Sequence, residues 1–88
     1  MRVLFSQDAW NEYRFWSSED DKIFARIDVL IEETRRHPFS GTGKPEPLRG
    51  ALKGFWSRRI TKEHRLVYRV TGKGVSQTVE IAQLRYHY

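Results

Sequence analysis

The chain has 88 residues, 39% of them hydrophobic and 14% aromatic, with a formal net charge of +5 and no cysteine. These figures allow one domain, residues 1–88, because so short a chain buries only roughly 60–65% of its unfolded surface and a second core would not fit. They exclude disulfide staples and thiolate metal sites, and no apolar run approaches the ~18 residues of a membrane span.

The charge is unevenly placed. Residues 1–34 hold four Lys/Arg against eight Asp/Glu, whereas residues 35–88 hold twelve Lys/Arg against three acids, Glu46, Glu63 and Glu80. A solvated acidic part and a polyanion-facing basic part are the expected division. Ser6-Gln7-Asp8 breaks any signal-peptide pattern early, and with cysteine absent a reducing cytoplasm is the expected compartment.

In chain order, Arg2–Ser6 reads as a short strand. Ser6 can cap a following helix, with Asp8 in its first turn, and Ala9, Trp10, Tyr13 and Trp16 recur at helical spacing. Ser17–Asp21 offers a second cap. The next helix carries the stripe Ile23, Phe24, Ile27, Leu30, Ile31 and Thr34, a 3.6-residue period. Arg35, Arg36 and His37 suit its C-terminal end, and Pro38 stops it.

Residues 38–54 hold all three prolines and four of the six glycines. A connection that long in a small domain is usually functional or disordered; one helical turn is expected around Leu48–Leu52. Strands follow at Phe55–Thr61, Arg65–Val70 and Thr78–Arg85, joined by turns at Lys62–His64 and Gly72–Gly74. In the second of these strands Leu66, Tyr68 and Val70 share one face, and Arg65, Val67 and Arg69 the other. The order β-α-α-β-β-β predicts an α+β fold with two N-terminal helices on one face of a mostly antiparallel sheet. The other face is left open and arginine-rich, a place for RNA.

RNA can be cut by its own 2′-hydroxyl if a base removes that proton, cations hold the phosphate, and an acid protonates the leaving oxygen. Glu46 sits between Pro45 and Pro47, which limit its backbone. A lone acid among cations is either a salt-bridge partner or a base, and sequence leaves both open. Arg65 opens the central strand. Arg58 and Arg59 are consecutive and point to opposite faces, so at most one joins Arg65; sequence does not decide which. The ending Arg85-Tyr86-His87-Tyr88 offers a histidine that titrates near neutrality and an aromatic ring that can stack on a base. An aromatic anchor for the last strand is the plainer alternative. His37 and His64 read as structural or solvated, and the three histidines show no metal-ligand spacing. Gly41-Thr42-Gly43-Lys44 fails as a phosphate loop: Pro38 replaces the first glycine and Pro45 the metal-binding hydroxyl.

The runs Pro38-Phe39, Gly43–Leu48, Gly54–Thr61, Glu63–Tyr68 and Arg85–Tyr88 closely resemble the YoeB (Txe-like) toxins of the RelE/ParE toxin–antitoxin superfamily. The resemblance spans Trp10 to the last residue. It implies a microbial-ribonuclease-like RelE fold and metal-independent, cofactor-free cleavage of messenger RNA in the ribosomal decoding site. It makes Glu46 the general base, Arg65 the phosphate stabiliser, His87 the general acid and Tyr88 an aid in placing the RNA. Arg49 and Arg59 become supporting cations, and Lys44 and Lys53 are expected to bind RNA with them. A YefM-like antitoxin, the ribosome with its mRNA, and a second copy of the chain are the implied partners. Two other readings stand beside it: a ParE-like gyrase inhibitor on the same fold, and a passive RNA- or ribosome-binding module.

Overall fold

The computed structural model describes residues 1–86; His87 and Tyr88 lie outside the described residues. Strand β1 (Arg2–Phe5) is followed by helices α1 (Gln7–Glu19) and α2 (Asp21–Arg36), then β2 (Glu46–Pro47), β3 (Trp56–Arg59), β4 (Arg65–Thr71) and β5 (Thr78–Gln83). Among the described residues these form one five-stranded sheet in the order β1-β5-β4-β3-β2. Only the β1–β5 pairing is parallel. The expected order thus gains a strand, β2, two residues long and made of Glu46 and Pro47. So short a segment shows no periodicity; it is fixed by its partners Ser57 and Trp56 on β3.

The helix ends follow from local chemistry. The Ser6 hydroxyl accepts from the Ala9 amide at 3.0 Å, satisfying one of α1's free donors. Asp20 ends α1 in an extended conformation and caps α2, its carboxylate accepting from the Lys22 and Ile23 amides, both at 3.0 Å. Ser17 does not cap the second helix; it lies inside α1, and its hydroxyl donates back to the Arg14 carbonyl. Helix α2 ends at Arg36, capped by His37. No helix among the described residues is long and apolar enough to cross a membrane.

Both helices pack on one face of the sheet. Ala9, Trp16, Ile27 and Leu30 meet Leu66, Tyr68, Val79, Ile81 and Leu84 in a buried cluster, with Val3, Phe5 and Val70 at its margin. The alternation expected along β4 is the one observed, with Leu66 and Tyr68 fully buried and Arg69 exposed.

A cation is buried in the same layer. Arg58 is 0% exposed, and no carboxylate pairs with it among the described residues. Its Nη1 donates to the Thr42 carbonyl and its Nη2 to the carbonyls of His37 and Ser40. Its Nε donates to the Tyr68 hydroxyl, which donates in turn to the Pro38 carbonyl. The charge therefore rests on carbonyls at and just beyond the C-terminal end of α2, where the helix dipole is negative. Burial pushes the Tyr68 phenol above its ordinary pKa, and Arg58 opposes that shift. Gly43 (φ +88°) lets the loop lie on this group, because a Cβ there would come within 2.9 Å of Leu30 and 3.1 Å of Arg58.

Replacing Arg58 leaves the carbonyls of His37, Ser40 and Thr42 without their shared donor. Arg58→Leu is expected to lower the unfolding free energy by about 3 kcal/mol in a urea titration. Arg58→Lys should recover only part of this, since an ammonium cannot span the guanidinium's forked set of acceptors.

Candidate active site

The face away from the helices is assembled by strand register. Glu46 on β2 pairs with Ser57 on β3, and Ser57 pairs with Val67 on β4. Two residues along, Arg59 pairs directly with Arg65. Cross-strand partners share a face, so Glu46, Arg59 and Arg65 stand together above a floor of Ser57 and Val67, each only 1% exposed. Which of the two adjacent arginines joins Arg65 is thereby settled: Arg59 does, and Arg58 is the buried clamp on the opposite side.

The electrostatics of this face are unbalanced. Like charges directly opposite on neighbouring strands repel. Neither Arg59 nor Arg65 has an ion-pair partner among the described residues, and Glu46 has none either. The salt-bridge alternative for Glu46 therefore fails within residues 1–86. The carboxylate is exposed at the sheet edge, and the cations beside it are uncompensated. An anion entering here offsets the arginine–arginine repulsion, and the free carboxylate beside it is available to take a proton.

Backbone contacts hold the pieces in place. The Arg59 amide donates to the Gly43 carbonyl at 2.8 Å and the Leu48 amide to the Phe55 carbonyl at 2.9 Å, closing the loop around β2. Arg26 on α2 donates to the Arg59 carbonyl. Arg65 is half-buried, and its Nη1 donates to the Thr61 carbonyl at 3.1 Å. Lys44, Arg49 and Lys53 are exposed on the loop that carries Glu46. Lys44 takes a left-handed conformation (φ +53°), rare for a side-chain-bearing residue. The expected turn at Leu48–Leu52 is a 3₁₀ turn over Gly50–Leu52.

The last strand stops at Gln83 instead of Arg85 because α1 captures the backbone of the next residue. The Leu84 amide donates to the Glu12 carboxylate at 2.7 Å, and the Trp16 indole donates to the Leu84 carbonyl at 2.9 Å. Beyond it, the Tyr86 amide donates to His64 Nδ1 at 2.7 Å, and the Arg65 amide donates to the Tyr86 carbonyl at 3.0 Å. The Arg85 guanidinium lies 3.9 Å from the Phe15 ring centre. The chain thus reaches the end of its described part tied to Arg65. His87 and Tyr88, two of the four expected catalytic residues, follow outside it. His64 has a structural part, as expected, and accepts at Nδ1. Glu12 and Trp16 as holders of the chain end were not foreseen; Trp16 shows in the sequence only as a member of α1's apolar stripe.

The chain resembles known proteins along its whole length. The family described as YoeB-like toxin of bacterial type II toxin–antitoxin systems matches residues 5–88. Toxin YoeB of Escherichia coli K12 is 51% identical over 88 residues, covering all of both chains. The solved YoeB/ParE toxin from Agrobacterium tumefaciens superposes with a TM-score of 0.95 at 48% identity, again covering both chains completely. Staphylococcus aureus YoeB, solved as a dimer and in a YoeB–YefM complex, gives a TM-score of 0.87 at 37% and 36% identity, covering all of this chain and 98% of the other.

Glu12→Ala leaves the Leu84 amide without its acceptor. Local opening at the chain end should then be easier by ~1–3 kcal/mol. Amide exchange at Leu84, at Tyr86 and at Arg65, whose amide donates to Tyr86, is expected to quicken by tenfold or more, with exchange at Tyr68 and Val70 further along β4 unchanged.

Proposed function

The chain belongs to the YoeB-like toxins of bacterial type II toxin–antitoxin systems, and from that membership we propose that it is a ribosome-dependent endoribonuclease of messenger RNA. The observation that carries the reading is the Arg59–Arg65 pair, two cross-strand cations without an acid between them, beside the unpaired carboxylate of Glu46.

In this mechanism Glu46 takes the proton from the 2′-hydroxyl of the nucleotide in the decoding site. The 2′-oxygen attacks the adjacent phosphorus, and the bond from phosphorus to the 5′-oxygen breaks. Arg65, with Arg59 beside it, holds the non-bridging oxygens as negative charge builds on them. His87 gives a proton to the departing 5′-oxygen, and Tyr88 helps position the RNA. The products are a 2′,3′-cyclic phosphate and a 5′-hydroxyl. The nucleophile belongs to the substrate, so the scheme calls for no cofactor. Lys44, Arg49 and Lys53 extend the cationic surface along the RNA.

A YefM-like antitoxin is the proposed partner, by likeness to the Staphylococcus aureus YoeB–YefM complex, and a homodimer the proposed assembly, by likeness to the dimer from the same organism. If it acts on translating ribosomes as proposed, its compartment is the cytoplasm.

Primer extension on translating ribosomes tests the reading. Wild-type protein should cut within the A-site codon, and Glu46→Ala and His87→Ala should each slow cleavage by roughly 10²–10⁴. A 2′-O-methyl group at the cut position should abolish it. Cuts that survive that methyl group, or that need magnesium, overturn the mechanism. An absence of cuts together with loss of DNA supercoiling by gyrase favours the ParE-like alternative, and identical ladders for wild type and both variants favour passive binding.

A further inference from the structure

The open face continues past Arg59 and Arg65 to a second feature that the cleavage scheme does not use. A cavity of about 220 Å³ opens on it, lined by Leu4, Phe55, Arg69, Glu80 and Ala82 among others. Arg69 shares parity with Arg65 along β4 and lies against the ring of Phe55, just before β3, so the cavity belongs to the same face. Its lining is mostly apolar, and Leu4 is 58% exposed at its edge. Its polar groups are preassembled. Arg69 Nε donates to Glu80 Oε1 at 2.9 Å, the Thr71 hydroxyl donates to Glu80 Oε2 at 2.8 Å, and the Arg69 guanidinium lies 5.2 Å from the Phe55 ring centre. The Thr71 hydroxyl first, and Arg69 second, hold the Glu80 carboxyl below its usual range. Arg69's two terminal nitrogens make no hydrogen bond among the described residues, and its side chain is 48% exposed.

We propose that this cavity is a subsite for one unstacked, amine-bearing base of the RNA strand whose cleavage is proposed above, and the inference rests on that reading. The chemistry selects the occupant. An aromatic ring and a planar guanidinium are the two surfaces on which bases of single-stranded RNA stack. The anionic Glu80 rejects a phosphate. Each of its oxygens keeps a lone pair for an N–H donor, so it favours a base edge carrying an exocyclic amine over one that carries only a carbonyl. The volume admits one planar base and little more. Arg69 lies four residues from Arg65 on one strand, about 13 Å at ~3.3 Å per residue. The base seated here therefore belongs to a neighbouring nucleotide and not to the one that is cut.

The test is cleavage on ribosomes programmed with messages in which one flanking nucleotide at a time is made abasic. Wild type should lose roughly tenfold in kcat/KM at a single flanking position and little elsewhere. Phe55→Leu should lose a similar factor on the intact message, through KM with kcat unchanged, and should be indifferent to the abasic change. Phe55→Tyr, which keeps a stacking ring, should restore the wild-type pattern. Replacing cytidine by uridine at the sensitive position should slow wild type and leave Glu80→Gln unaffected. Thermal melts of each variant exclude a folding defect. The proposal is overturned if no flanking position is sensitive, or if the Phe55→Leu and abasic losses simply multiply. It is equally overturned if Phe55→Leu leaves the RNA profile unchanged and weakens antitoxin binding instead, which makes the cavity a seat for a protein side chain. Wild-type protein that makes no cuts overturns the cleavage reading itself, a result distinct from all of these.

Discussion

The guanidinium of Arg58 is the interaction on which the candidate site depends. A chain of 88 residues has one core to spend on stability, and this one places a full positive charge inside it. Burying a cation is costly unless its hydrogen bonds are met. Here they are met by carbonyls at the end of α2 and along the loop that leaves it, together with the Tyr68 hydroxyl. One side chain on β3 thereby fixes the start of a segment rich in glycine and proline, which the Arg59–Gly43 and Leu48–Phe55 backbone bonds then hold further along. The same segment continues into Pro45-Glu46-Pro47, so the position of the exposed carboxylate on one face follows from a buried charge on the other.

This arrangement also explains the sorting of charge. The acids of residues 1–34 lie mostly on the two helices, several of them in first turns or as caps, where the helix dipole favours them. The helices cover one side of the sheet and take that negative charge with them. The other side keeps Arg59, Arg65 and Arg69, and of these only Arg69 has an acid paired with it among the described residues. The molecule is therefore polar across its thickness. Its basic side is built on strands, which hold side chains at fixed spacing better than a loop does.

Much of this was legible in the sequence, for reasons that are local. Ser6 as a cap, the 3.6-residue stripe of α2 and the alternation of Leu66, Tyr68 and Val70 need only neighbouring residues to be read, and each is present in the fold. Glu46 and Arg65 stood out by flanking prolines and strand position, and the fold brings them to one face with Arg59. What was not legible is non-local. Arg58 and Arg59 are the same residue type side by side, and the register with β4 and the carbonyls at the end of α2 decide which is buried. Strand β2 is two residues long and contains a proline, so it carries no period. The end of β5 is set by Glu12 and Trp16, 72 and 68 residues away from Leu84 in sequence.

The two segments that supply the proposed acid and base have a common physical character. Neither is part of the central ladder. The loop carrying Glu46 is held by Arg58 and a two-residue edge strand, and the chain end by a carboxylate, an indole and an imidazole acting on bare backbone. Hydrogen bonds of this kind contribute roughly 1–3 kcal/mol each, less than the burial of the core beneath them. Both segments reach the site through side-chain-to-backbone contacts, whereas Arg59 and Arg65 stand on the paired strands β3 and β4. A ligand that engages both segments at once must stabilise them together, by an amount set by its own affinity. An anion seated beside Arg59 and Arg65 would be one such ligand, and a protein laid over the same face would be another. A face with uncompensated arginines beside such segments is suited to receive an anionic partner.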